Sequence, residues 1–231
     1  MPVNRTIGYI LALVVLVGLA YAIYTYVPKA PPLQAVNAGE QQQDGTELKV
    51  ETVSEDTDTY LIDVRYPQFG IPLVDAKIKA VVENAVAAFK GYPANPPDSA
   101  VPKNEFTGSF SSTYVGADVV SVALTISEYT GGAHPNTVII GVNVDRKTGE
   151  DVTLDTVLAM IGKTLPEVSA ESLVQLKADI GEDLIFPEGA ESKPENYSTF
   201  TVSKDKVTFI FNNYQVAPYS AGPQSVEFAR K

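Results

Sequence analysis

The chain has 231 residues, 45% of them hydrophobic, which is enough to bury a core and argues against disorder throughout. Its formal charge of -11, from 28 acidic and 17 basic residues without a Lys and Arg cluster, argues against a nucleic-acid partner and favours a cationic one. There is no cysteine, so a disulfide framework, a thiol nucleophile and a zinc–thiolate site are excluded.

Ile7 to Val27 is a run of 21 residues without a charge, long enough to cross roughly 30 Å of hydrocarbon as a helix. Tyr9 lies near one end, and Tyr21, Tyr24 and Tyr26 near the other, where amphipathic rings favour the membrane interfaces. Residues 1–27 thus read as a single-pass cell-membrane anchor, with Arg5 and the N-terminal amine in the cytoplasm and the rest of the chain outside. The alternative is a signal peptide cleaved at Ala20-Tyr21-Ala22, giving a secreted or periplasmic protein. Residues 28–46, with Pro31, Pro32 and three successive glutamines from Gln41, hold too few apolar groups to offset ordering and read as a flexible tether.

Beyond the tether, Leu48–Val53 and Tyr60–Tyr66 are strand-like runs around the turn-forming Ser54–Asp58, and together predict a hairpin. Ile71, Val74, Ile78, Val81, Val82, Ala85 and Phe89 recur at helical steps and predict an amphipathic helix ending near Gly91. Prolines 93, 96, 97 and 102 make the next segment a loop. Phe106–Val115, rich in Ser and Thr, reads as an outer strand. Val120, Val122, Leu124 and Ile126, then Val138, Ile140, Val142 and Val144, keep one parity each and predict two half-buried strands. Val152 and Leu154 are expected to resume the sheet briefly. Thr164-Leu165-Pro166-Glu167 is a capping box, with Leu165, Val168, Leu173, Leu176 and Ile180 as the stripe of a second helix. Glu182–Asn196 reads as an acidic surface loop, Tyr197–Val202 and Val207–Phe211 as a hairpin, and Val226–Phe228 as a last strand. The expected fold is α+β, antiparallel sheets with two main amphipathic helices behind one N-terminal transmembrane helix, divided into subdomains 47–136 and 137–231.

Between the two central strands lie Tyr129, Thr130, Gly131, Gly132, Ala133, His134, Pro135 and Asn136. Two glycines permit positive φ, and Pro135 pushes the chain's single histidine into an extended conformation. A two-residue turn would have sufficed, so this longer link points to a specified shape with a binding role.

The usual catalytic constellations find little support. A Ser-His-Asp arrangement would have to be built around His134, and no serine stands in a G-x-S-x-G turn. One histidine with scattered acids gives no recognisable zinc-ligand spacing. Paired carboxylates for glycoside hydrolysis are available in any acidic protein, and nothing marks a pair. Gly131-Gly132 leads into a strand, not into the helix a phosphate loop requires. No catalytic residue, metal site or cofactor is therefore expected.

Tyr129-Thr130-Gly131-Gly132-Ala133-His134-Pro135-Asn136, Asn143-Val144-Asp145 with Thr148-Gly149-Glu150 and Thr153-Leu154, and Tyr214-Gln215-Val216-Ala217-Pro218-Tyr219 with Gly222 carry a resemblance. In that order they resemble the paired extracytoplasmic domains of the anti-sigma-V family, a pair also found beside the catalytic domain of some bacterial peptidoglycan deacetylases. The resemblance covers about Leu48–Phe228 and implies an α+β fold. For the best understood members it implies recognition of lysozyme at the cell surface. Two features depart from the family: six residues precede the apolar run, too few for a sigma-binding domain, and no deacetylase segment follows Lys231. The expectation is a recognition module of the cell envelope that binds a cationic wall hydrolase such as lysozyme, or wall glycan. The alternatives are a wall-acting hydrolase with unassigned carboxylates and a structural ectodomain of a membrane complex.

The residues expected at the binding surface are Tyr129, Thr130, Gly131, Gly132, His134, Asn136 and Tyr219. His134 is a contact residue or a loop residue bonding the neighbouring backbone, the second being the simpler reading. Gly131 and Gly132 serve backbone conformation before ligand approach. Tyr214 is assigned to packing, and Tyr219, beside Ser220-Ala221-Gly222, to contact.

Overall fold

The computed structural model describes residues 46–231. The expected anchor and all but the last residue of the expected tether lie outside the described residues. Among the described residues no helix is long and apolar enough to cross a membrane.

Among the described residues the fold is α+β, with two sheets and three helices. Strands β1 (Lys49–Asp56) and β2 (Tyr60–Gln68) form the expected antiparallel hairpin. Helix α1 (Pro72–Lys90) starts at a proline, whose missing N–H costs nothing in the first turn, and buries Val74, Ile78, Val82, Val86 and Phe89. It carries the chain back to the start of β2, so β3 (Asn104–Val115) runs parallel to β2, with Tyr60 opposite Asn104. Strands β4 (Val119–Tyr129) and β5 (Asn136–Asp145) follow antiparallel, completing the order β1-β2-β3-β4-β5.

This corrects the expectation for β3, which is the central strand and not an outer one. Its Thr107 and Ser109 are exposed while Phe106 is fully buried. The polar alternation therefore records a solvated sheet face, which in sequence looks the same as a solvated edge.

A second correction concerns Leu154. Only a single bridge, Val144 with Asp151, extends the pairing, after which Thr153 caps helix α2 (Leu154–Ile161) by accepting the N–H of Thr156 at 3.2 Å. Gly162, at φ 64°, ends it. Helix α3 (Leu165–Ile180) begins as the capping box predicts, the Thr164 N–H donating to Glu167 Oε2 at 2.7 Å. Two single 3-10 turns follow, Pro187–Ala190 and Pro194–Tyr197. Tyr197, expected to open a strand, is instead fully buried in the second of these turns, its hydroxyl donating to the Ala190 carbonyl at 2.7 Å. Strands β6 (Phe200–Val202), β7 (Lys206–Phe211) and β8 (Gln224–Ala229) form the second, antiparallel sheet.

Because β5 pairs with β4 along its whole length, the boundary between the sheets falls after Asp145 and does not coincide with a division at 136/137. Parity along β4 shows how the halves join. Val120, Val122, Leu124 and Ile126 face the core under α1, whereas Val119 joins the core of the second half. On that other face Ser121 Oγ donates to Asn143 Oδ1 at 2.6 Å and accepts the Val202 N–H at 2.9 Å, while Asn143 Nδ2 donates to the Phe200 carbonyl at 2.7 Å. These buried polar groups are thus paired across the two sheets. A side chain at Gly141 would place its Cβ 2.0 Å from the Phe200 carbonyl oxygen, so β6 can lie this close only on a glycine.

Candidate functional site

The link from β4 to β5 leaves the sheet at Tyr129 and returns at Asn136, opposite Glu128. Gly131 and Gly132 have φ of 111° and 107°, which only glycine adopts without strain. The Tyr129 hydroxyl closes the turn by donating to the Gly132 carbonyl at 3.0 Å. Every residue from Thr130 to Asn136 is exposed.

His134 is held from two sides. Its Nδ1 lies 2.9 Å from the Pro135 carbonyl, an acceptor, so the neutral ring carries its proton on Nδ1 and its Nε2 accepts from the Tyr214 hydroxyl at 3.2 Å. The imidazole stacks on Tyr219 with centroids 3.8 Å apart and planes 19° from parallel. Tyr214 and Tyr219 meet at 5.4 Å, and the Tyr219 hydroxyl donates to the Pro135 carbonyl at 3.3 Å. Three rings from two distant stretches thus share one outward-facing cluster.

Tyr214 departs most from the sequence reading. Assigned there to packing, it is 58% exposed and has φ 66°, a left-handed conformation unusual for a tyrosine. The turn that holds it is over-determined by its neighbours. Asn212 presents its side-chain amide to the edge of β5, accepting the Ile139 N–H at 2.6 Å and donating to the Ile139 carbonyl at 3.1 Å. Asn213 donates to the Thr137 carbonyl at 3.1 Å. Gln215 accepts the Asn212 N–H at 3.1 Å and donates to the carbonyls of Gly189 and Asn196. The available signal was the Asn212-Asn213 pair, whose short amides favour turns and bond nearby backbone. Strain held in place by surrounding bonds at an exposed aromatic is a mark of a site.

Of the residues expected at the surface, His134 and Tyr219 are in ring contact, and Tyr129, Gly131 and Gly132 shape the link. Thr130 and Asn136 are exposed on that link. Alongside it, the Tyr92 hydroxyl donates to Glu128 Oε2 at 3.3 Å, and the carboxylate's charge raises the tyrosine's pKa. Among the described residues no group of three or more His, Asp or Glu side chains is placed to hold a metal ion.

Residues 53–137, which include the His134 link, match the family model described as deacetylase PdaC. Residues 158–231, which include Tyr214 and Tyr219, match the model of a protein family of unknown function, DUF3298. The matches support the DUF3298/PdaC-like domain family. The ring cluster therefore joins the segments matched by the two family models. The peptidoglycan-N-acetylmuramic acid deacetylase PdaC of Bacillus subtilis is 25% identical over 183 residues, 78% of this chain and 39% of that protein. The immunogenic protein MPT64 of Mycobacterium tuberculosis is 30% identical over 120 residues, 50% of this chain and 53% of that protein. The chain thus spans less than two thirds of either relative. A DUF3298-family crystal structure from Bacteroides fragilis superposes with TM-score 0.55 at 19% identity, covering 80% of this chain and 90% of that one. Another, from Pseudomonas aeruginosa, gives 0.52 at 16% identity, with 81% and 95% covered. These likenesses bear on the fold.

Proposed function

We propose that the domain is an extracytoplasmic recognition module of the cell wall, which binds a cationic wall hydrolase such as lysozyme through the His134, Tyr214 and Tyr219 rings. The observation that carries this reading is the exposed ring cluster itself, built at a strained tyrosine on an acidic body. Aromatic groups with few rotatable bonds supply contact area at low entropic cost, which suits a binding surface. The wall setting is supported by the relative that is named a peptidoglycan deacetylase, and by the anti-sigma-V resemblance of the glycine-histidine link. The apolar run Ile7–Val27 would tether the module to the membrane with the folded part outside.

Charge supports the same partner. The 17 basic residues less Arg5, set against 28 acidic ones, leave a formal charge of -12 beyond Arg5. Opposite net charge raises encounter rates with a cationic protein and disfavours polyanionic wall polymers. The acidic stretch Glu182–Glu195 contributes to that field. Titrating the detergent-solubilised full chain with lysozyme tests the reading. A complex at micromolar protein is expected, with an association rate that falls as salt shortens the Debye length from about 10 Å at 0.1 M to about 3 Å at 1 M. No complex at low salt would end the lysozyme reading.

A further inference from the structure

A strand at the edge of a sheet leaves backbone N–H and C=O groups without a strand partner, and side chains take up such groups at three of the four edges of the two sheets. On β5, Asn212 holds both groups of Ile139, and Asn213 takes the Thr137 carbonyl. On β6, Ser121 accepts the Val202 N–H and Asn143 donates to the Phe200 carbonyl. On β8, the Gln175 amide accepts the Glu227 N–H at 3.1 Å and donates to the Glu227 carbonyl at 3.3 Å. The fourth edge, β1, is open: among the described residues nothing bonds its outward backbone groups.

The turn after β1 fixes which groups these are. The Thr57 N–H donates to the Tyr60 carbonyl at 2.9 Å, so Thr57 faces β2, and by alternation so do Glu55, Val53 and Glu51. Val50, Thr52, Ser54 and Asp56 therefore turn their N–H and C=O groups outward. The strand also lacks two usual guards of an edge, since it holds no proline and its eight residues keep one register with β2 without a bulge.

What the edge does carry is negative charge. Between residues 47 and 58, Glu47, Glu51, Glu55, Asp56 and Asp58 stand against Lys49 alone. Near the turn, Lys90 pairs with Glu55 and Lys103 with Asp56. Glu51, exposed in the middle of the strand, has no ion-pair partner among the described residues. Its side chain lies on the same sheet face as that of Val53, which packs against the core under α1. A second copy would bring the same acids to this edge and meet like charge, whereas a basic strand meets opposite charge.

We propose that the open edge of β1 docks an extended, basic peptide segment of a partner protein, which adds a sixth strand to the five-stranded sheet. The segment's main chain bonds Val50, Thr52 and Ser54, a Lys or Arg side chain pairs with Glu51, and apolar residues on its other face cover Val50, which is 53% exposed. The proposal does not rest on the reading of the His134 cluster, which uses other residues beside β5 at the opposite edge of the sheet.

The test is calorimetric titration of the detergent-solubilised full chain with three capped octapeptides: alternating Lys and Val, alternating Glu and Val, and the first peptide N-methylated at its valines. With Lys on the Glu51 face, the valine N–H groups face β1, so methylation removes the strand bonds and keeps the charge. The Lys-Val peptide binds with Kd below about 1 mM, and the other two bind at least about tenfold more weakly. Thr52→Pro, which removes an outward N–H and none that bonds β2, weakens the first peptide by about tenfold or more, with its melting temperature recorded alongside. Glu51→Lys, which leaves the backbone intact, does the same. Bound peptide slows amide exchange at Val50, Thr52 and Ser54, and Tyr219→Ala leaves peptide affinity within about twofold while reducing lysozyme binding. No binding up to about 1 mM overturns the proposal, as does equal affinity for the N-methylated peptide, which would reduce the contact to charge alone. A cross-linked dimer of the chain that Thr52→Pro abolishes would give the edge to a second copy and overturn the basic segment.

Discussion

The imidazole of His134 lies flat on the phenol of Tyr219, centroids 3.8 Å apart, joining the β4–β5 link of one sheet to the turn before the last strand of the other. The contact lies at the surface, so its contribution to folding is that of one ring pair. His134→Ala and Tyr219→Ala should each cost about 1 kcal/mol in urea unfolding. Under the proposed function each should weaken lysozyme binding by about tenfold or more. Large destabilisation with unchanged lysozyme binding would make the stack a structural staple and no more.

Tyr214 separates strain from contact. At φ 66° a tyrosine pays about 1–2 kcal/mol that glycine does not. Tyr214→Gly should therefore be close to neutral in stability despite losing a ring, whereas Tyr214→Val, β-branched in the same conformation, should lose about 2 kcal/mol or more. Both should bind lysozyme less well. A glycine variant much less stable than wild type would mean that the ring's contacts outweigh the backbone strain.

How much of this was legible depended on whether the information was local. The strand parity from Val120 to Ile126, the capping box at Thr164 and the two glycines of the link are read within a few residues, and the structure has each of them where the pattern put it. The place of β3 was not legible, because one solvated face and one solvated edge give the same alternation. Leu154 reads as strand from its apolar neighbour Val152, although Thr153 with Asp155 two residues on is equally a helix start. Tyr214 reads as packing in the sequence because its exposure is decided by Asn212 and Gln215 reaching β5 and the 3-10 turns, contacts distant along the chain.

Two glycines should fail for different reasons. At Gly132 an added Cβ meets nothing within 4 Å, so Gly132→Val costs only the backbone strain of φ 107°, about 1–3 kcal/mol. At Gly141 the Cβ would sit 2.0 Å from the Phe200 carbonyl oxygen. Gly141→Ala must push β6 away from β5 and disturb the bond from Asn143 to Phe200, so a single methyl should destabilise more than the valine at Gly132. Denaturant unfolding of the two variants decides it; the reverse order would mean that the sheets separate without loss.

The N-terminus of α3 gives a prediction in pH. The Thr164 N–H and hydroxyl both donate to Glu167 Oε2 at 2.7 Å, and these bonds hold the Glu167 carboxyl below its ordinary pKa. A carboxyl whose folded pKa is depressed binds its proton more readily in the unfolded chain. Its stabilisation is therefore complete above the unfolded value of about 4.3 and is lost as pH falls through the lower, folded value. Glu167→Gln keeps an acceptor oxygen but loses the charge that favours a helix N-terminus. The variant should melt below wild type near neutral pH, and the gap should narrow as pH falls below the unfolded value and close once Glu167 is protonated in both states. Other carboxyls titrate over the same range, but they are common to both proteins and cancel in the difference. A gap that stays constant across this range would show that the Thr164 bonds stabilise the helix without the charge.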